Sequence, residues 1–76
     1  MKKVYLNVEE FDRLLGRKPL TQFVEEIQNN GYKCSYSNFY NLYRGYNNWT
    51  GILMLGVAET LGVSVEQLFH IHYVDK

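Results

Sequence analysis

Residues 20–45 have the sequence LTQFVEEIQNNGYKCSYSNFYNLYRG. Apolar side chains recur at the spacing of one helix face on both sides of a glycine, namely Phe23, Val24 and Ile27 before it and Phe39 and Leu42 after it. Gly31 follows two asparagines and is suited to end the first helix. Ser35 or Ser37 can cap the second helix, which runs to Arg44 and ends at Gly45. The segment therefore predicts two helices joined by a turn at Gly31.

Three further helices are predicted outside this segment. Each follows a polar residue that can cap it, and these residues are Asn7, Thr50 and Ser64. The first helix is predicted over residues 8–15, the second ends at Gly62, and the third is short and ends near residue 69 or 70. Glu10 and Gln67 stand three residues after two of the caps, which is the spacing of a capping box.

Short extended segments are predicted on both sides of the helices. Residues 4–6 and residues 71–74 can pair as a ribbon, provided that the ribbon packs on the helices. The sequence thus predicts a mainly all-α fold of five short helices in one domain over residues 1–76, with a short terminal β-ribbon. The periodic apolar positions predict a core of Phe11, Leu14, Phe23, Ile27, Phe39, Leu42, Leu53, Val57, Leu61 and Leu68.

The composition limits the class of protein. The chain has 76 residues, a formal net charge of zero and 46% hydrophobic residues, which is typical of one small globular domain. Its longest apolar run, residues 52–58, has seven residues, whereas a membrane-spanning helix needs about 20. No signal-peptide pattern follows Met1. We therefore expect a cytoplasmic protein that does not enter a membrane.

Few residues could support enzyme or metal chemistry. Cys34 is the only cysteine, so an intrachain disulfide is excluded, and its apolar position in the turn favours a buried structural thiol. Together with His70 and His72 it provides too few ligands for a closed zinc site. The sequence has no Gly-rich phosphate loop, catalytic triad or metal motif. We therefore expect no enzyme, no cofactor, no bound metal and no small-molecule ligand.

The distribution of acidic residues indicates a surface for an anionic partner. Residues 27–58 contain no Asp or Glu, whereas they hold six of the seven asparagines, five of the seven tyrosines, Lys33 and Arg44. A polar surface without acids suits contact with a phosphate backbone and with base edges. The alternative is that these neutral polar residues only solvate a loop-rich region.

A second informative motif lies at residues 57–68, where an apolar residue is followed by Ala-x-x-Leu-Gly-Val-Ser-x-x-x-Leu. In the central segment, Leu-Thr-Gln at residues 20–22, Gly31, and Ser-x-Ser-x-Phe-x-x-Leu-x-x-Gly at residues 35–45 are also notable. With these features the chain resembles the lambda-repressor-like, Cro/CI-type helix-turn-helix family over residues 8–69. The turn around Gly31 is longer than in most members of that family.

The resemblance implies a role for each exposed residue of the motif. Residues 20–45 would form the helix-turn-helix, and its second helix would enter the major groove of DNA. On that helix, the side chains pointing away from Phe39 and Leu42 would meet base edges, and these are Tyr36, Ser37, Asn38, Tyr40 and Asn41. The residues implied to bind phosphates are Gln22, Lys33, Arg44 and Asn47.

The resemblance also implies a sequence-specific DNA-binding transcriptional regulator, a Cro/CI-type repressor of a phage, prophage or mobile element. Its partners would be a double-stranded DNA operator and a second copy of the chain, because so few cations give weak phosphate attraction. The alternative is a protein-binding module on the same fold, an antirepressor or an inhibitor of a larger complex. DNA binding is favoured if the cations cluster, and these are Arg17, Lys18, Lys33 and Arg44. Glu25 or Glu26 on the same face favours protein binding.

Overall fold

Five helices lie between two strands in the computed structural model, which describes the backbone of residues 2–73 and the side chains of residues 3–71. In chain order the elements are β1 (Lys2–Leu6), α1 (Val8–Leu15), α2 (Leu20–Asn29), α3 (Tyr36–Tyr43), α4 (Gly51–Leu61), α5 (Val65–Leu68) and β2 (Phe69–Tyr73). The predicted mainly helical fold with five short helices is confirmed.

The two strands pair as an antiparallel sheet in which Leu6 is opposite Phe69. The predicted terminal ribbon is therefore confirmed, but it is longer than residues 4–6 and 71–74. It begins earlier in the second strand because α5 ends at Leu68 and the chain continues directly into β2. Residue 74 lies outside the described residues.

Side-chain caps decide where four of the helices begin. The capping oxygens of Asn7, Ser35, Thr50 and Ser64 accept the backbone N–H three residues ahead, at 3.2, 3.1, 3.3 and 3.3 Å. Of the two serines that could cap α3, Ser35 takes the position and Ser37 lies inside the helix. Pro19 precedes α2 and contributes no side-chain hydrogen bond, but its fixed φ suits the start of a helix.

Each of the two predicted capping boxes forms only one of its two hydrogen bonds, the one accepted by the cap side chain. In a complete box, Glu10 and Gln67 would each bond back to the cap residue of its own helix. Instead, Gln67 Nε2 donates to Glu10 Oε2 at 2.6 Å, so the two side chains join α1 to α5. Glu10 also accepts two hydrogen bonds from the guanidinium of Arg13. The backbone N–H of Asn7, which Glu10 leaves free, donates to the Leu68 carbonyl.

Aromatic rings form the centre of the core. Phe11, Phe23 and Phe39 are fully buried, and their ring centroids lie 5.2 to 6.1 Å apart. The Trp49 ring packs edge-on against Phe39 and against Phe69 of β2, at 5.8 and 4.9 Å. Trp49 therefore packs between the helices and the ribbon and joins them in one core. This packing explains why a sheet of two short strands is stable here.

Eight of the ten residues predicted to form the core are buried. The other two, Leu14 and Leu61, are only partly buried at its edge, because each lies near the end of its helix. The buried hydrophobic residues outside the predicted core are Leu6, Val24, Cys34, Trp49, Ala58 and Phe69. Most of these lie at element ends or in connections, where a helical period gives no information.

The six-residue connection between α2 and α3 is held by specific contacts. Gly31 has a φ of 97°, a conformation that glycine adopts without strain. The Tyr32 backbone N–H returns to the Ile27 carbonyl at 3.3 Å, and the Gln28 side chain donates to the Cys34 carbonyl. Cys34 is buried, as expected for a structural thiol. The long turn thus has a defined conformation.

Tyr32 also fixes the distance between this turn and α4. Its ring lies over Gly56, and a Cβ at that position would meet three ring atoms at 3.0 to 3.1 Å. Its hydroxyl donates to Glu59 Oε1 at 2.6 Å, one turn further along α4. The absence of a side chain at Gly56 is therefore what allows the turn to pack on α4.

Candidate functional site

The outer face of α3 carries the residues predicted to read bases. Phe39 and Leu42 of this short helix are buried and Tyr43 packs against Phe11, so the opposite face of the helix is the one that meets solvent. Four of the five candidates are exposed, and they are Tyr36, Ser37, Asn38 and Tyr40. Asn41 is only partly exposed, and its backbone carbonyl accepts the Tyr46 N–H at 2.9 Å in the turn that ends the helix. The amide and hydroxyl groups best placed for an external partner are those of Ser37 and Asn38.

Tyr36, Tyr40, Arg44 and Tyr46 form a continuous series of planar groups, which we call the α3 stack. The Tyr36 and Tyr40 rings are stacked, with centroids 6.1 Å apart and planes at 24°. The Arg44 guanidinium lies 5.7 Å from the centroid of Tyr40 and 5.9 Å from that of Tyr46. Its Nη1 also donates to the Tyr40 hydroxyl at 3.2 Å. The α3 stack thus combines exposed aromatic surface with one cation.

Only part of the α3 stack was visible in the sequence. Tyr36, Tyr40 and Arg44 are four residues apart, a spacing that places them on one helix face. Tyr46 was not among the predicted site residues, because it lies beyond the helix and its position depends on the turn at Gly45, where φ is 85°. Tyr40 and then Tyr46 raise the pKa of Arg44, so the guanidinium stays fully charged.

The predicted phosphate-binding residues are all exposed. Besides Arg44 they are Gln22, Lys33 and Asn47. Gln22 Nε2 lies 3.5 Å from Glu26 Oε2, and Glu26 Oε1 accepts from Lys18 Nζ at 2.7 Å. One acid therefore shares the side of α2 that carries Gln22, and Lys18 is paired with it.

Two acids from outside residues 27–58 contact tyrosines inside that segment. Tyr43 donates to Asp12 of α1 at 3.0 Å, and burial followed by this hydrogen bond raises the pKa of Tyr43. The hydrogen bond to Glu59 raises the pKa of Tyr32 in the same way. The segment without acids in the sequence is therefore in contact with two carboxylates in the fold.

A cavity of about 210 Å³ lies between β1 and the C-terminal end of α3. Its lining is mostly apolar and includes Val4, Leu6, Leu42 and Trp49, with Tyr5, Tyr43 and Arg44 as polar members. Lys3 Nζ reaches the carbonyl of Gly45, another lining residue, at 3.4 Å. None of its lining residues is a carboxylate, so the cavity offers apolar contact and one guanidinium.

Other chemistry has little support in the described residues. Burial raises the pKa of the Cys34 thiol, which lowers its reactivity. No three His, Cys, Asp or Glu side chains of the described set come close enough to hold a metal. The side chain of His72 lies outside that set. Among the described helices, none has the length and apolar character that crossing a membrane requires.

Comparison of the chain with models of protein families, with curated proteins and with solved structures finds no match.

Proposed function

We propose that the chain is a sequence-specific DNA-binding transcriptional regulator, a Cro/CI-type repressor of a phage, prophage or mobile element. In this proposal α2, the turn at Gly31 and α3 act as a helix-turn-helix, and α3 enters the major groove. The order of the elements supports it, as does the resemblance of residues 57–68 to the lambda-repressor-like family. An α-helix fits the major groove of B-DNA, which is about 12 Å wide.

The observation that carries the proposal is the composition of the exposed face of α3. This face presents Ser37, Asn38 and the α3 stack, and the helix itself contains no Asp or Glu. Asn can form two hydrogen bonds with adenine, and Ser can bond to several bases. The ion pairs between described residues are Arg13–Glu10 and Lys18–Glu26, so the charge of Arg44 is not neutralised by either. Arg44 is thus available for phosphate.

The small number of cations makes dimerisation part of the proposal. Non-specific DNA affinity grows with the number of phosphates that Lys and Arg neutralise, and here the predicted set contains only Lys33 and Arg44. Two copies on neighbouring half-sites, about one helical turn apart, would double these contacts. Repression would then be steric, because a dimer on its operator excludes polymerase. The chain's own concentration or another protein would control it.

One observation favours protein binding as the second candidate. Glu26 lies beside Gln22, so an acid shares the face that should meet phosphates. The tyrosines of the α3 stack also suit a protein interface, where Tyr supplies rigid contact area. In this alternative the chain is an antirepressor or an inhibitor of a larger complex.

Gel-shift titration over a salt series separates the two candidates. The test uses duplex DNA from the protein's own locus and a scrambled duplex of the same length and composition. The DNA proposal predicts a tighter complex with the native sequence, and an affinity that falls as salt rises. Absence of binding to both duplexes at low salt, where phosphate attraction is strongest, would replace the proposal with the protein-binding alternative.

A further inference from the structure

Two aromatic rings lie close to the guanidinium of Arg44. Tyr40 comes from the preceding turn of α3, and Tyr46 from the loop that follows the helix. Tyr46 is 68% exposed, so it contributes little to the core. Its contact in this region is with the guanidinium, at 5.9 Å from the ring centroid.

The arrangement restricts a side chain that is otherwise very mobile. An exposed arginine loses substantial rotamer entropy when it is fixed on a partner. Stacking on Tyr40 and Tyr46, together with the hydrogen bond from Nη1 to the Tyr40 hydroxyl, fixes part of that conformation before any partner arrives. A guanidinium has five N–H donors, and the hydrogen bond to Tyr40 uses one of them. The remaining N–H groups can therefore bond to the oxygens of a phosphate.

We propose that Tyr46 is a positioning residue that holds Arg44 in its phosphate-binding conformation. This inference rests on the proposed DNA-binding function and adds to it a residue from outside the helix-turn-helix segment. Tyr46 acts through its ring, which lies 5.9 Å from the guanidinium, so the effect should require an aromatic side chain.

The test measures duplex affinity by fluorescence anisotropy for Tyr46→Ala and Tyr46→Phe, each with and without Arg44→Ala. Loss of an exposed cation–π contact corresponds to about two- to fivefold in affinity, so Tyr46→Ala should weaken binding by that factor. Tyr46→Phe should bind like the wild type, because it keeps the ring. In the Arg44→Ala background, Tyr46→Ala should have no further effect.

Two controls separate positioning from other causes. Ile52→Ala removes a similarly exposed large side chain on α4 (65% exposed) and should leave affinity unchanged. In the free protein, NMR shifts of the Arg44 side chain should change in Tyr46→Ala and not in Tyr46→Phe, since only the former loses the ring current.

The possible failures are distinct. If the wild type binds DNA and Tyr46→Ala binds equally well, the positioning role is wrong and the proposed function stands. If Tyr46→Ala weakens binding by the same factor in the wild-type and the Arg44→Ala backgrounds, then Tyr46 contacts DNA itself and the inference is also overturned. If the wild type binds neither duplex, the proposed function fails, and the role of Tyr46 fails with it.

Discussion

Single side chains in this protein connect elements that are distant in the sequence. Gln67 bonds to Glu10, Tyr43 to Asp12, and Tyr32 to Glu59. In each pair at least one residue could be placed on a helix from the sequence, but its hydrogen-bond partner could not be identified. Helix periodicity gives the direction of a side chain, whereas these partners depend on how the helices pack.

The first prediction concerns acid stability and Glu10. Hydrogen bonds from Arg13 first, and then from Gln67, lower the pKa of Glu10 from 4.5 to about 2. A lowered pKa in the folded state stabilises the protein above the unfolded-state pKa, and this stabilisation is lost as pH falls from 4.5 towards 2. Glu10→Gln should therefore reduce stability at neutral pH and flatten its decline in acid.

Urea denaturation of the wild type and Glu10→Gln at neutral and acid pH measures this effect. Glu9→Gln serves as the control, because Glu9 is an exposed carboxylate on the same helix. The attribution of this pH dependence to Glu10 is wrong if both variants lose as much stability in acid as the wild type does.

The second prediction separates two residues of the proposed DNA interface. Asn41→Ala should weaken binding to the cognate duplex by about 1–3 kcal/mol and relax specificity at one base pair. Arg44→Ala should weaken binding to all duplexes alike and make the slope of log K against log salt shallower by about one unit. Titrations on cognate and scrambled duplexes at several salt concentrations give both quantities. Asn41 is only partly exposed, whereas Ser37 and Asn38 are exposed. Unchanged specificity of the Asn41→Ala variant would therefore assign the base contacts to Ser37 and Asn38 instead.

At the scale of elements, helix starts could be predicted well and contacts between helices could not. Each cap is a local interaction between a side-chain oxygen and a backbone N–H three residues ahead, so Asn7, Thr50 and Ser64 were identifiable from sequence. The reciprocal hydrogen bond of each capping box does not form, because the side chains of Glu10 and Gln67 bond to each other instead. The predicted site shows the same division: the exposed face of α3 and the position of Glu26 one turn from Gln22 follow from helix periodicity, whereas the contact of Tyr46 with Arg44 required the structure.

The third prediction tests how closely the α2–α3 turn packs on α4. Gly56→Ala places a methyl 3.0 Å from the base of the Tyr32 ring. This clash should outweigh the helix propensity gained, about 1 kcal/mol, and lower the unfolding free energy by about 1–3 kcal/mol. Gly51→Ala is the matched control in the same helix, because nothing lies within 4 Å of the added methyl.

Chemical denaturation of these variants, and of Gly56→Ala in a Tyr32→Ala background, is the measurement. With the ring removed, the added methyl should stabilise α4 through helix propensity alone. A Gly56→Ala protein as stable as Gly51→Ala would show that Tyr32 moves aside without penalty.

At the scale of the whole molecule, two leucines that helix periodicity predicts to be equally buried differ in their burial. Leu61 and Leu68 both occupy apolar helical positions, but Leu68 is fully buried and Leu61 is partly exposed. The sequence alone predicts a loss of about 2–5 kcal/mol for Leu61→Ala, the usual range for a buried leucine. With the burial known, that loss is expected for Leu68→Ala, and Leu61→Ala should lose about half as much. Denaturant midpoints with unchanged slopes would measure both, and equal losses would contradict the packing described here.

The ribbon has a consequence for the order in which this protein folds. Every strand pair joins residues more than 60 positions apart in the sequence, whereas each helix forms from near neighbours. Closing so long a loop reduces chain entropy before any strand contact compensates. We therefore expect the ribbon to assemble last and to open first, while the helices remain in place. Native-state hydrogen exchange should show paired amides of β1 and β2 exchanging through an opening of lower free energy than those of α2 and α4. Identical opening free energies would mean that strands and helices melt as one cooperative unit.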